Sequence, residues 1–273
     1  MNNILSLRKN FSKAISKVDV EILLASALGK DRVFLYAYPE YELNPHEYNL
    51  FEQLIKRRIQ GEPIAYILNK REFWSLELYV DQNVLIPRHE TELIVELALE
   101  LLNDKSKLVA DLGTGSGAIA LALAKERVNW SLVAVDKSIA ALNIAKKNAA
   151  LLKIDNLEFI QGDWCEPLAK KSFSAIISNP PYINSHDPHL QQGDVRFEPE
   201  SALVATSYGM GDLHNIIAGA QEKLISGGLL ILEHGYDQGS EVRKLMEKHC
   251  YQQVTTRKDF GGNERATYGY SEY

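Results

Sequence analysis

Cysteine is scarce in this 273-residue chain, which holds only Cys165 and Cys250. Neither stands in a spacing suited to metal or redox chemistry, so a disulfide scaffold is excluded, and two free, packed thiols in a reducing, cytoplasmic setting are expected. Long apolar runs are missing too. No stretch approaches the roughly 18 residues that a membrane-spanning helix requires, so no membrane partner is expected. Nor is positive charge in excess: the net charge is −6. Residues 1–72 carry 11 Lys/Arg against 9 Asp/Glu, and residues 73–273 carry 19 against 27. A main partner made of phosphate backbone calls for a basic surface, so direct nucleic-acid binding is not expected either. The one dense basic cluster, Lys56-Arg57-Arg58, reads as a solvated helix face. The first 18 residues hold Arg8, Lys9, Lys13 and Lys17 and no acid, a composition shared by transit peptides and amphipathic helices. The stripe within Ile4, Leu5, Leu7, Phe11 and Ile15 favours a helix.

What the chain does contain falls into two parts. Up to about residue 60 the pattern is helical, with Asp19 opening Val20 to Leu28 and Gly29 closing it. Asn44-Pro45 starts a second helix with Glu47 at its third position, and Gly61 ends it. Tyr48, Phe51, Ile55 and Ile59 are expected to share its buried face. This gives an N-terminal helical domain over residues 1–72, with no catalytic constellation of its own and a recognition role expected. A β-hairpin linker follows over 73–87, with its turn at Asp81-Gln82-Asn83. Residues 88–273 begin with a helix from Arg88 to Leu102. Apolar strand runs near 108–111, 131–136, 157–160, 173–178, 228–234, 251–256 and 266–270 then alternate with helical runs. Such alternation predicts an α/β, Rossmann-like, mostly parallel seven-stranded sheet covered on both faces, with one of the last two strands antiparallel.

Chemistry concentrates at the ends of these strands. Asp111-Leu112-Gly113-Thr114-Gly115-Ser116-Gly117 follows the first sheet strand and opens a helix, as nucleotide-binding loops do. The glycines alone do not separate one cofactor from another, because the run also satisfies a relaxed dinucleotide pattern. Asp136 ends the next strand, where an acid can hold both hydroxyls of a ribose. Asp163 and Trp164 follow the third strand, suited to an adenine amino group and to its ring face. Asn179-Pro180-Pro181-Tyr182 follows the fourth. An asparagine amide both donates and accepts, and two prolines stiffen the backbone around it, so the segment can clasp a second planar NH2 group under the Tyr182 ring. Taken together, these residues specify S-adenosyl-L-methionine as cofactor and S-adenosyl-L-homocysteine as product.

With those motifs in view, the sequence resembles the HemK/PrmC family of release factor glutamine methyltransferases. The likeness extends over nearly the whole chain through Gly61 to Tyr66, Arg71-Glu72-Phe73-Trp74, Leu85-Ile86-Pro87-Arg88 and Asp194 to Pro199. His89 departs from it, standing where the family usually has proline. The resemblance implies an enzyme that methylates the glutamine of the Gly-Gly-Gln motif in class 1 release factors during translation termination. It also implies cofactor contacts at Gly113 to Gly117, Asp136, Trp164 and Asn179, and a substrate glutamine held by Asn179, Pro180, Pro181 and Tyr182. Asn179, Pro180 and Tyr182 are the expected catalytic residues. Three other readings use the same motifs: an N6-adenine methyltransferase, a methyltransferase for a ribosomal protein glutamine, and a binding module without catalysis. An NAD oxidoreductase gives Asn-Pro-Pro-Tyr no purpose. His186, His189, His214 and His234 form no cluster at metal-site spacing, so no metal is expected.

Overall fold

The computed structural model describes residues 2–272 and divides into two compact units. The first runs to Asn69 and takes in Gln191–Phe197. It contains α1 (Ile4–Phe11), α2 (Lys17–Leu28), α3 (Arg32–Ala37), α4 (Pro45–Ile59) and α5 (Ile64–Leu68). Helix α2 starts earlier than its acidic residue suggested. Ser16 is the cap, accepting from the Asp19 backbone N–H at 3.0 Å, and Asp19 sits inside the first turn. Helix α4 begins as expected, with Asn44 and Glu47 forming a reciprocal capping box. Phe51 and Ile55 are buried from it, but Ile59 is exposed, because the helix reaches its last turn there. Ile4, Leu7, Leu23, Leu24 and Leu35 complete the core.

The basic cluster is not simply a solvated face. Lys56 pairs with Glu52 at 2.9 Å and Arg57 with Glu62 at 2.5 Å. Arg58 is largely covered, bridging Asp19 at 2.8 Å and Asp194 at 2.9 Å. Cations already neutralised in this way leave little free charge for a polyanion.

The second unit takes in the rest of the chain. Strands β1 (Arg71–Phe73) and β2 (Leu76–Leu78) form a hairpin whose turn is Trp74-Ser75, both left-handed, rather than Asp81-Gln82-Asn83. Two consecutive positive φ values match the twist of a two-residue hairpin, and the strands are therefore shorter than the apolar run suggested. The expected helix at Arg88 begins as a 3-10 turn, His89–Thr91, and becomes α6 (Glu92–Leu101). Then come β3 (Leu108–Leu112), α7 (Ala118–Glu126), β4 (Ser131–Asp136), α8 (Ile139–Leu152), β5 (Leu157–Gln161) and β6 (Phe173–Ser178). A small pair, β7 (Ile183–Asn184) and β8 (Val204–Ala205), precedes the short α9 (Thr206–Gly209) and α10 (Gly211–Lys223). The chain closes with β9 (Leu224–Glu233), α11 (Gly239–Lys248), β10 (Gln252–Lys258) and β11 (Glu264–Tyr270).

Seven strands form one sheet in the order β10-β11-β9-β6-β3-β4-β5, and β11 alone runs against the rest. Successive side chains point to opposite faces, so each strand feeds two cores. Val109, Ala175, Ile177 and Ile231 pack with α6 and α7, while Ala110, Leu112, Ile176 and Leu230 pack with α10 and α11. Of the two thiols, Cys165 is buried and pushed up to about 12 by that burial, whereas Cys250 is exposed and not packed as expected. Among the described residues, no helix is long and apolar enough to cross a membrane.

Candidate active site at the carboxyl edge of the sheet

Four neighbouring parallel strands, β6, β3, β4 and β5, deliver their carboxyl ends to one edge. That edge gathers the glycine loop, Asp136, Asp163-Trp164 and Asn179 to Tyr182. The loop after β3 is pinned to β4 by Gly113 and Thr114, whose N–H groups donate to the Val135 carbonyl at 2.9 and 3.0 Å. Gly113, Gly115 and Gly117 all have positive φ, at 68°, 56° and 84°. At Gly117 a side chain would also meet Leu121 and Ala145, which brings α7 close to α8. At Gly115 a side chain would enter open space, so this glycine leaves room for something other than protein. Ser116 is buried, and its carbonyl accepts from Asn148 Nδ2 at 2.9 Å.

Asp136 is held by two backbone N–H groups, Gly115 at 2.9 Å and Ser138 at 2.8 Å. Burial raises its pKa and these donors pull it back. Asp163 is more exposed and lies 3.3 Å from Lys137 Nζ. Trp164 adopts a left-handed backbone, sets its ring against Gly113, and donates its indole N–H to Asp212 at 3.2 Å. Asp111, at the end of β3, is buried. Its Oδ2 accepts from the Thr114 hydroxyl at 2.6 Å and from the Ala120 N–H at 3.3 Å, but Oδ1 has no partner. Burial is the main cause that raises this acid to about 7.

The clasp leaves β6 at Ser178, whose hydroxyl donates to the Leu112 carbonyl at 2.7 Å and ties the clasp to the glycine loop. Asn179 is partly exposed, Pro180 is buried, and Pro181 and Tyr182 are half-buried. Behind them lie Thr91 and Gln238, which the sequence did not single out, and Glu233, which it marked only as a structural acid at a strand end. Asn179 Nδ2 donates to the Thr91 hydroxyl at 3.1 Å, and the Tyr182 hydroxyl donates to Glu233 Oε1 at 3.4 Å. The Tyr182 carbonyl accepts from Gln238 Nε2 at 3.2 Å and lies so near Gly209 that a Cβ there would come within 2.3 Å of it. Burial also raises the Tyr182 phenol, with Glu233 adding to the effect. Glu233 itself is fully buried and raised to about 7. The sequence shows Glu233 at a strand end; its approach to the clasp comes from β9 pairing beside β6, a long-range contact with no local signal.

Arg88 and Ile86 both meet Glu198, joining two of the motifs that carried the resemblance. His89 is exposed beside Glu92, outside the glycine loop and the clasp. A cavity of about 480 Å³ lies between the start of α6 and the β10–β11 turn. It is lined by Glu90, Arg257, Phe260 and Arg265 among others, and by no residue of the loop or clasp. His186 and His189 lie in an exposed segment with Asp187, and no described group of three or more His, Cys, Asp or Glu could hold a metal.

Comparison with known proteins follows the division of the chain. Residues 7–68 match the PrmC N-terminal domain, and residues 90–195 match the Methyltransferase small domain. The release factor glutamine methyltransferase of Escherichia coli (strain K12) is 48% identical over 251 residues, covering 92% of this chain and 91% of that protein. The protein of the same name from Coxiella burnetii is 46% identical over 272 residues, covering 97% and 98%. Among solved structures, a methyltransferase from Pyrococcus furiosus aligns with a TM-score of 0.55 at 15% identity, over 80% of this chain and 98% of its own. A ribosomal protein L11 methylase from Lactobacillus delbrueckii subsp. bulgaricus aligns at 0.53 and 21% identity, over 71% and 84%. Identities that low speak for the fold alone.

Proposed function

The chain belongs to the release factor glutamine methyltransferase family, and from that premise we propose the chemistry of its site: methyl transfer from S-adenosyl-L-methionine to N5 of the glutamine in the Gly-Gly-Gln motif of class 1 release factors. The observation that carries this reading is the adjacency of the Asn-Pro-Pro-Tyr clasp and the glycine loop on neighbouring strands, tied through Ser178 and Leu112.

The residues present fit the cofactor. The loop from Gly113 to Gly117 leaves an open approach at Gly115; Asp136 suits a ribose, Asp163 an adenine amino group, and Trp164 the ring. The unpartnered Asp111 Oδ1 suits an ammonium. Bound there, S-adenosylmethionine supplies an electrophilic sulfonium methyl. The remaining requirement is to orient a weak nucleophile, because an amide nitrogen shares its lone pair with its carbonyl. The Asn179 side-chain oxygen and the Pro180 carbonyl accept from the glutamine NH2 and turn its nitrogen toward the methyl. Tyr182 packs on the amide plane. Alkylation makes the departing proton strongly acidic, so no dedicated base is needed.

The N-terminal domain, residues 1–72, is read as the module that recognises the folded factor, since a tripeptide loop is too small to supply specificity alone. Val33 and Tyr38 stand exposed on it. The 73–87 segment links it to the methyltransferase domain at 88–273. A cytoplasmic location accords with a factor of translation. Adenine and a ribosomal protein glutamine are less favoured as substrates, because the Escherichia coli and Coxiella burnetii relatives, 48% and 46% identical, act by their names on release factors.

The test is transfer of labelled methyl to purified class 1 release factor, beside DNA, RNA and ribosomal protein controls, with the modified peptide sequenced. Label on the Gly-Gly-Gln glutamine is expected, together with its loss in Asn179→Ala and a raised KM in Tyr38→Asp. Label confined to adenine or to a ribosomal protein would replace the substrate, and near-normal turnover by Asn179→Ala would remove that residue from its role.

A further inference from the structure

Asn179 is useful to a glutamine NH2 only through its oxygen, yet an amide can present either end. Its surroundings decide which. Thr91 lies at the end of the 3-10 turn before α6, only 4% exposed, with its hydroxyl 3.1 Å from Asn179 Nδ2. A hydroxyl has one proton to give and lone pairs with which to accept. The same hydroxyl is among the groups that stabilise the charge of Glu233, at the end of β9. In the structure the Thr91 hydroxyl uses a lone pair to accept from Asn179 Nδ2. The asparagine must then turn its NH2 inward.

We propose that Thr91 is a positioning residue: its buried hydroxyl, accepting from Nδ2, holds the Asn179 amide with Nδ2 inward and Oδ1 toward the substrate, which selects an NH2-bearing side chain and repels a carboxylate. This rests on the methyl-transfer reading above and deepens it to the discrimination of glutamine from glutamate. At the other end of the clasp, the Tyr182 hydroxyl donates to Glu233. The other charged groups facing Glu233 are Arg265 from β11 and Glu90 from the turn that carries Thr91, and Arg265 is itself paired with Asp259 at 3.2 Å. Neither offers the directional contact that Thr91 makes with Asn179.

The experiment compares full-length wild type, Thr91→Val and Thr91→Ser at pH 8. It measures kcat and KM on release factor, the Kd of S-adenosylhomocysteine, and inhibition by a factor whose motif glutamine is replaced by glutamate. Valine keeps the shape and loses the acceptor, so kcat should fall on the order of 10- to 100-fold, as for a misaligned reacting group. Cofactor-product affinity should hold within about twofold, while the glutamate factor becomes a relatively better inhibitor. Serine should keep the wild-type values. If Thr91→Val does not fold, Thr91→Ala provides the same comparison. Unchanged kcat in the valine variant, unchanged discrimination despite lost activity, or a serine variant no better than valine would each overturn the proposal. Failure of the wild type to methylate the factor would instead overturn the functional reading beneath it.

Discussion

Asp111 holds the clearest unmet demand at the scale of a single residue: a buried carboxylate with one oxygen satisfied twice and the other not at all. Raised to about 7, it is largely protonated at pH 6 and largely ionised at pH 8. A cationic ligand favours the ionised form, so the Kd of S-adenosylhomocysteine, which keeps the ammonium, should fall as pH rises from 6 to 8. Calorimetry across that range should show the slope in wild type and lose most of it in Asp111→Asn; equal slopes would assign the effect to another group. Asn179 and Asp136 stand out in the sequence because one directly follows a strand and the other closes one, and Trp164 comes three residues after a third. Thr91 did not stand out, and Glu233 did so only as an acid at a strand end read as structural, since they reach the clasp through packing, across 88 residues from Thr91 to Asn179 and 51 from Tyr182 to Glu233.

Elements explain why the sheet was easy to foresee and the hairpin was not. Buried parallel strands carry continuous apolar runs, and β3, β4 and β6 stand out for that reason. The hairpin turns at Trp74-Ser75, neither of which is a usual left-handed residue, so composition pointed downstream to Asp81-Gln82-Asn83. The loop between β3 and α7 shows how two glycines in one element differ. Gly117 abuts α8 and Gly115 faces open space. Alanine at either meets a left-handed backbone, costing about 1 kcal/mol. Gly117→Ala should add a packing penalty and lower the melting temperature further than Gly115→Ala. Gly115→Ala should instead weaken cofactor binding by about tenfold or more, since its methyl group stands in the approach. Paired thermal melts and binding titrations would separate them, and identical losses would remove the distinction.

The molecule as a whole carries a buried acid on β9 at some expense to its stability. Burial raises Glu233 to about 7, well above an ordinary glutamate, so near neutral pH the folded chain keeps a proton that the unfolded chain has released. Its stability contribution is therefore fullest below the unfolded value and is lost as pH rises through 7. Glu233→Gln has no such proton, so its melting temperature should gain on wild type from pH 5 to pH 8, even as methyl transfer falls. A difference that stays flat across that range would mean Glu233 does not titrate there. The first unit is discontinuous: Arg58 is paired by Asp194, and Arg196 reaches the Gln60 carbonyl at 3.3 Å, both from a segment more than a hundred residues downstream. In evolutionary terms the bundle cannot travel as a cassette. A recombination event that cut the chain near residue 70 would leave Asp194 and Arg196 behind, so new recognition surfaces on this fold are expected to arise by substitution within the bundle rather than by its exchange.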